Sequence, residues 1–321
     1  MKKRICTILF IAFCFGKIYA QNANAKPEEL KEMFNKTLAV ELLEENPKYV
    51  EKITGSKKEE DQTELKNYKN FIKSYNLNIK KVVDNLWKLN KKIEYKTTSE
   101  IETIRKSKSP KYVCLFFSQS KHLRDPDQTF EELDIATLNY SRAEKKVYNS
   151  DYSFFFPSRI EVKNDVYNDL VFSINFMQKN INEIVSSGDK KNAKVFIQDQ
   201  TKKNCGQLNT KTLLVDKTLF DEKKFDESEV KKSYSFDLNI GTAEDTESKL
   251  SKDPKKYLFL VAIPYGILKK TGGFLSVERI QFQRCIADLE GNIYGAVGAG
   301  FGQFYVSTFR AKDLKTCSDC K

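Results

Sequence analysis

Apolar side chains recur at helical spacing over residues 27–44, where Leu30, Phe34, Leu38 and Leu42 follow Pro27 and precede Pro47, so the pattern predicts an amphipathic helix. Residues 56–63, GSKKEEDQ, interrupt it as a charged connector. A second stripe, formed by Ile79, Val82, Val83, Leu86 and the sole tryptophan, Trp87, predicts a helix with its apolar face in the core. The longest clean periodicity covers 164–186. Tyr167, Leu170, Val171, Ile174, Met177, Ile181 and Ile184 fall on one side, and Gly188 marks the end. Shorter apolar runs follow. Residues 193–200 and 211–220 read as strands joined by a loop at 202–206, residues 227–232 as a helical turn, and 234–240 as a strand near period two.

Two stretches repeat the same order of signals. EIETIRKSKSPKYVCLFF (100–117) and EDTESKLSKDPKKYLFLV (244–261) each give a helix-compatible segment, a Lys-Ser/Asp-Pro-Lys break and a tyrosine that opens an apolar run. A second strand then follows at 133–140 or 274–286, a polar turn at 142–146 or 288–292, and a third strand opening with Val147-Tyr148 or Ile293-Tyr294. Tyr112 to Tyr257 is an offset of 145 residues and Tyr148 to Tyr294 one of 146. Residues 74–79 also echo 233–240, with a gap. The expected fold is therefore α+β: two related helix-plus-antiparallel-meander units over 93–157 and 158–321, preceded by a helical segment over 21–92.

The stretch YGAVGAGFGQFY (294–305) holds four of the 13 glycines. Gly298, Gly300 and Gly302 alternate and share one face of a strand, where an absent side chain lets a helix, a ring or another backbone approach. The phosphate-loop pattern GxxxxGK[ST] is missing, and GAGFGQ opens no helix, so the segment reads as a bent, glycine-faced strand with ligand contact as its alternative. Tyr152, Phe154 and Phe156 likewise share a strand face. Buried, that face is core; exposed, it would be a partner surface.

Compartment and charge narrow the picture. Lys2, Lys3 and Arg4, the apolar stretch 5–16 and Ala20 have the layout of a cleavable secretory signal over 1–20, whose apolar part is short for a membrane span. Its removal takes four basic residues and no acid from totals of 55 and 44, leaving a net charge of +7. That surplus is dispersed among mixed Lys, Glu and Asp runs rather than gathered in a basic stripe, which argues against nucleic acid as a partner. Export would place the chain in the periplasm, on the outer membrane or outside the cell. Disulfides are permitted there.

Five cysteines survive cleavage. Cys114, inside the apolar run 112–117, reads as a buried free thiol. Cys317 and Cys320 form a CxxC that no helix follows, whereas redox motifs of that form open a helix. The pair is expected to staple the tail, to itself or to Cys205 or Cys285.

With one histidine, His122, a Ser or Cys nucleophile would have a single choice of imidazole base, and no GxSxG elbow is present. A lone histidine in a polar loop is ordinarily a solvated side chain. The acidic run Asp125, Asp127, Glu131, Glu132 and Asp134 begins like a calcium loop, but Phe130 stands where glycine is required and Ala136 at the twelfth position. No metal or cofactor is implied. The sequence thus supports an exported, non-catalytic module that binds an envelope or extracellular protein, a peptide or a glycan, with Gly298, Gly300, Gly302, Phe154, Phe156 and His122 as candidate contacts. The alternatives are a hydrolase using scattered carboxylates, or Cys205 or Cys285 with His122, and a carrier of an apolar ligand.

Overall fold

The computed structural model describes residues 19–20, 25–56, 58–107, 109–121, 129–136, 152–155, 166–189, 193–221, 223, 225–272, 275–297 and 308–320. The elements run β1 (Tyr19–Ala20), α1 (Pro27–Met33), β2 (Thr37–Leu42), α2 (Pro47–Thr54), α3 (Glu59–Leu86), β3 (Ile93–Thr97), α4 (Thr98–Ser107), β4 (Tyr112–Lys121), β5 (Thr129–Ala136) and β6 (Tyr152–Phe155). They continue with α5 (Tyr167–Ser187), α6 (Ala193–Asn204), β7 (Thr212–Asp216), α7 (Glu227–Ser233), β8 (Leu238–Gly241), α8 (Ala243–Lys252), β9 (Tyr257–Gly272), β10 (Leu275–Ala287), β11 (Ile293–Val297) and α9 (Ala311–Ser318).

The fold is α+β, with two sheets of one topology. The first has strand order β3-β2-β4-β5-β6 and the second β8-β7-β9-β10-β11, with the short β1 paired to β9 off that path. In each, three parallel strands precede an antiparallel meander. Registers match as well: Thr37 lies opposite Tyr112 as Thr212 lies opposite Tyr257, and Leu38 opposite Ile93 as Leu213 opposite Leu238. The meander continues the match, with Leu115 opposite Ile135 and Leu260 opposite Ile286. Each meander is thus extended by two parallel strands: β7 and β8 fall where strands were expected at 211–220 and 234–240, whereas β2 lies in a stretch expected to be helical and β3 was not anticipated.

Four expectations are corrected. Residues 27–44 are not one helix, because α1 stops at Met33 and β2 follows. Leu38, Ala39 and Val40 are consecutive and fully buried, since β2 lies between parallel neighbours with apolar layers on both faces, a burial no helix stripe supplies. The segment 21–92 therefore supplies a strand to the first sheet besides its helices. Residues 193–200 form α6, not a strand: Phe196 and Ile197 are adjacent and both fully buried while Val195 is 37% exposed, which is not alternation. Residues 211–220 divide into β7 and a 3-10 turn, Lys217–Leu219. Residues 74–79 lie within α3 and do not match β8, whose counterpart is β3.

The core joins the two sheets. Leu38, Val40, Val113 and Leu115 of the first sheet share one cluster with Leu214, Val261, Ile263 and Ile293 of the second. Between them lie α1, α3, α5, α6 and α8, represented by Leu30, Tyr75, Phe176, Phe196 and Leu250. α5 is apolar around most of its girth, as a helix serving two sheets must be: Leu170, Phe172, Ile174, Phe176, Met177, Ile181 and Ile184 are all buried. Gln178 accepts from Lys88 N at 2.7 Å and donates to Leu86 O at 3.0 Å, capping the end of α3. The outer face of the first sheet is covered by α4 through Ile101, and that of the second by α7 and α9 through Val230 and Leu314.

Candidate functional site

The turn between β10 and β11 is the polar turn expected at 288–292. Asp288 N donates to Asn292 O, Gly291 N to Asp288 O, and Gly291 has φ of 79°. A methyl group at Gly291 would lie 2.6 Å from Phe176 N, so glycine also lets the turn seat on α5. Asn175 of α5 holds it by donating to Leu289 O at 2.8 Å.

This turn carries a fully buried carboxylate, Asp288, with 0% exposure. Lys211 Nζ donates to it at 2.8 Å, Tyr294 OH at 2.8 Å, and Asn292 through both backbone N, at 3.0 Å, and side chain. Burial alone would raise the Asp288 pKa, but donation from Asn292 and Lys211 outweighs it and holds the carboxyl below its ordinary value. The same contact raises Lys211 against the opposing pull of burial. Asn292 passes the network on, because its Oδ1 accepts from Lys179 of α5.

Beyond Lys179 the surface opens into a groove of about 760 Å³ lined by Lys179, Asn182, Glu183, Val185, Ser186, Ser187, Gln200, Lys203 and Asn292. α5 forms one wall and α6 the other. α6 is fixed by Phe196 edge-on to Phe176, centroids 5.1 Å apart, and by buried Asn204, which donates to Ile293 O at 3.1 Å. Lys179 is half-buried, and desolvation lowers its pKa, with Lys203 and Lys211 adding to the effect and Asp288 and Glu290 opposing it.

The C-terminal segment forms a separate assembly. Cys205 and Cys320 are joined in a disulfide with Cα atoms 5.6 Å apart, which ties the tail to the start of the 3-10 turn after α6. The tail is stapled, as expected, and Cys205 is the partner. Cys317 and Cys285 are buried thiols, both pushed well above the ordinary range by burial, and Cys114 is buried with its thiol pushed up to about 12 for the same reason. α9 lies directly on β11. A methyl group at Gly295 would collide with the Cys317 carbonyl, 2.9 Å from its carbon. Arg284 Nη1, buried in β10, meets Asp313 Oδ2 of α9 at 3.3 Å, and Arg310 Nη2 meets Asp313 Oδ1 at 2.9 Å.

A buried acid also ends the central parallel strand of each sheet. Glu41, 5% exposed, accepts from Phe117 N at 3.0 Å, and burial raises its pKa. Asp216, 7% exposed, occupies the corresponding place in β7 and accepts from Thr218 N at 2.8 Å and Thr218 Oγ1 at 2.7 Å.

Of the residues singled out by sequence, Phe154 lies in β6 opposite Leu133, at the edge of the first sheet. His122, Phe156, Gly298, Gly300 and Gly302 lie outside the described residues, as does Tyr148. The close approach expected of a strand glycine occurs at Gly295, in the same glycine-rich stretch. Cys205 is consumed by the disulfide, and Cys285 is a buried neutral thiol, so neither offers a thiolate to a histidine. Among the described residues no group of three His, Cys, Asp or Glu side chains is arranged to hold a metal, and no helix is long and apolar enough to cross a membrane. The groove residues were missed because α6 read as a strand. Lys202 and Lys203, cations at the end of a helix, were the available signal. No family model, curated protein or solved structure matches the chain.

Proposed function

We propose that the chain is an exported, non-catalytic binding module and that the groove between α5 and α6 is its ligand face. The observation that carries this reading is the contrast between walls and floor. The floor is fixed by a hydrogen-bonded network from Asp288 to Lys179, while Asn182 and Lys203 in the walls have no side-chain partner among the described residues. A rigid scaffold presenting unspent polar groups is the arrangement that makes ligand association inexpensive in entropy. The apolar leader over 1–20 and the disulfide support export.

Site-specific photocrosslinking in the native host tests this directly. A photoreactive residue at Asn182 should trap a defined partner or glycan that the same probe at exposed Lys252 of α8 does not. Equal labelling from both positions sinks the reading. Amino-terminal sequencing of the recovered protein should begin at Gln21.

A further inference from the structure

We propose that the groove between α5 and α6 takes an oxyanion carried by its ligand, a carboxylate, phosphate or sulfate, between the ammonium groups of Lys179 and Lys203. The inference rests on the groove being the ligand face and adds the chemistry of what enters it.

Net charge does not decide the matter. Lys203 and Lys211 act on Lys179, but Asp288 and Glu290 lie near enough to oppose them. Asp288 is moreover saturated by Lys211, Asn292 and Tyr294 and presents nothing to the groove. The local inventory of donors and acceptors is less balanced. Gln200 Oε1 already accepts from Asn204 Nδ2 at 3.2 Å, which leaves its amide nitrogen to donate. Asn292 Oδ1 already accepts from Lys179. The backbone carbonyls of Glu183 and Ile184 are taken by Ser186 and Ser187, and Ser187 Oγ also accepts from Asp189 N at 3.3 Å. Glu183, the acid in the lining, has an interaction of its own.

What remains is donor-rich. Among the described residues Lys203 has all three ammonium protons free, Lys179 two and Gln200 two, and the Asn182 amide contributes both functions. Ligand groups that only accept, and that carry charge, satisfy such a set best, and charge-assisted bonds to ammonium are the strong ones. The half-buried position of Lys179 strengthens its interaction with an arriving anion relative to an exposed lysine.

The test uses the mature chain, residues 21–321, titrated with sodium phosphate, sulfate and acetate against sodium chloride at equal ionic strength, and followed by backbone amide NMR shifts. The inference predicts saturable shifts confined to residues around 179–187, 200–203 and 292 for at least one oxyanion. Lys203→Gln should weaken that binding about tenfold, the loss of one charge-assisted contact. Lys252→Gln, a change of equal charge elsewhere, should not. Comparison of the three salts distinguishes phosphate, sulfate and carboxylate ligands. Shifts that do not saturate, or that Lys203→Gln and Lys252→Gln reduce equally, would show only the general attraction of a basic surface and overturn the inference. A crosslinked partner at Asn182 that oxyanions fail to displace would leave the binding-module reading standing and this one refuted. Saturable oxyanion binding without a crosslink would do the reverse.

Discussion

At Gly295 the α-hydrogen faces the carbonyl of Cys317, and that contact sets how α9 lies on β11. Both sides of it are backbone, so neither can rotate away from an added methyl group. Gly295→Ala should therefore cost on the order of 3 kcal/mol, at the upper end of overpacking effects. Gly206 faces open space, and Gly206→Ala should change stability by less than about 0.5 kcal/mol. Paired urea titrations decide it, and equal midpoints for the two variants would refute the packing argument. Glu41 makes a statement about pH at the same scale. Burial raises its pKa, so the fold favours its protonated form. The contribution is fully present below the unfolded-state pKa of about 4.3 and is lost as pH rises through the raised folded value. Glu41→Gln keeps an acceptor for Phe117 N and removes the charge. Its Tm should exceed that of the parent at pH 7, and the difference should vanish near pH 4. A difference that does not vary with pH would assign the effect to something other than ionisation.

Element identity was legible where length and period agreed and failed where they did not. α3 and α5 are long enough for a 3.6-residue stripe to exclude alternation. In 27–44 the landmarks Leu38 and Leu42 are four apart, an even spacing that also puts both on one strand face, so helix and strand fit equally. The apolar run 195–197 is too short to show a period at all. The likeness of 100–117 and 244–261 falls on strands that hold the same place in the two sheets, β4 and β9, where Tyr112 and Tyr257 open the run and Leu115 and Leu260 lie opposite Ile135 and Ile286. It also reaches TLAVE (37–41) and TLLVD (212–216), but there the offset is 175 instead of 145, since the first unit inserts 30 further residues between its first two strands. α2 and much of α3 occupy that insertion. The groove was hidden on two counts: with α6 read as a strand Lys203 had no helix end to mark, and Lys179, Lys203 and Asn292 line one groove only after a turn and two helices dock.

At the scale of the whole molecule, the two units do not face each other symmetrically. In the first, the face bearing Leu38 and Val40 looks into the shared core; the matching face of the second, bearing Leu213 and Val215, looks outward toward α7 and α9. Conversely Leu214 looks inward while its counterpart Ala39 looks outward toward α4. Each sheet thus presents a different face to one helical layer. That layer is shared, so although the second sheet also has an apolar cluster of its own beneath α7 and α9, neither sheet keeps its inner face buried without the other. The units should unfold together. Trp87, the sole tryptophan, reports on the first unit, and alkylation of buried Cys285, located by peptide mass, reports on the second. In urea the two probes should give one coincident transition. Phe176 packs between α6 and the turn after β10, so Phe176→Ala should lower both midpoints together, by about 3–5 kcal/mol in stability. If Trp87 fluorescence changes well before Cys285 becomes reactive, or if Phe176→Ala shifts one probe and leaves the other in place, the halves are independent, and the groove on α5 belongs to the second unit alone.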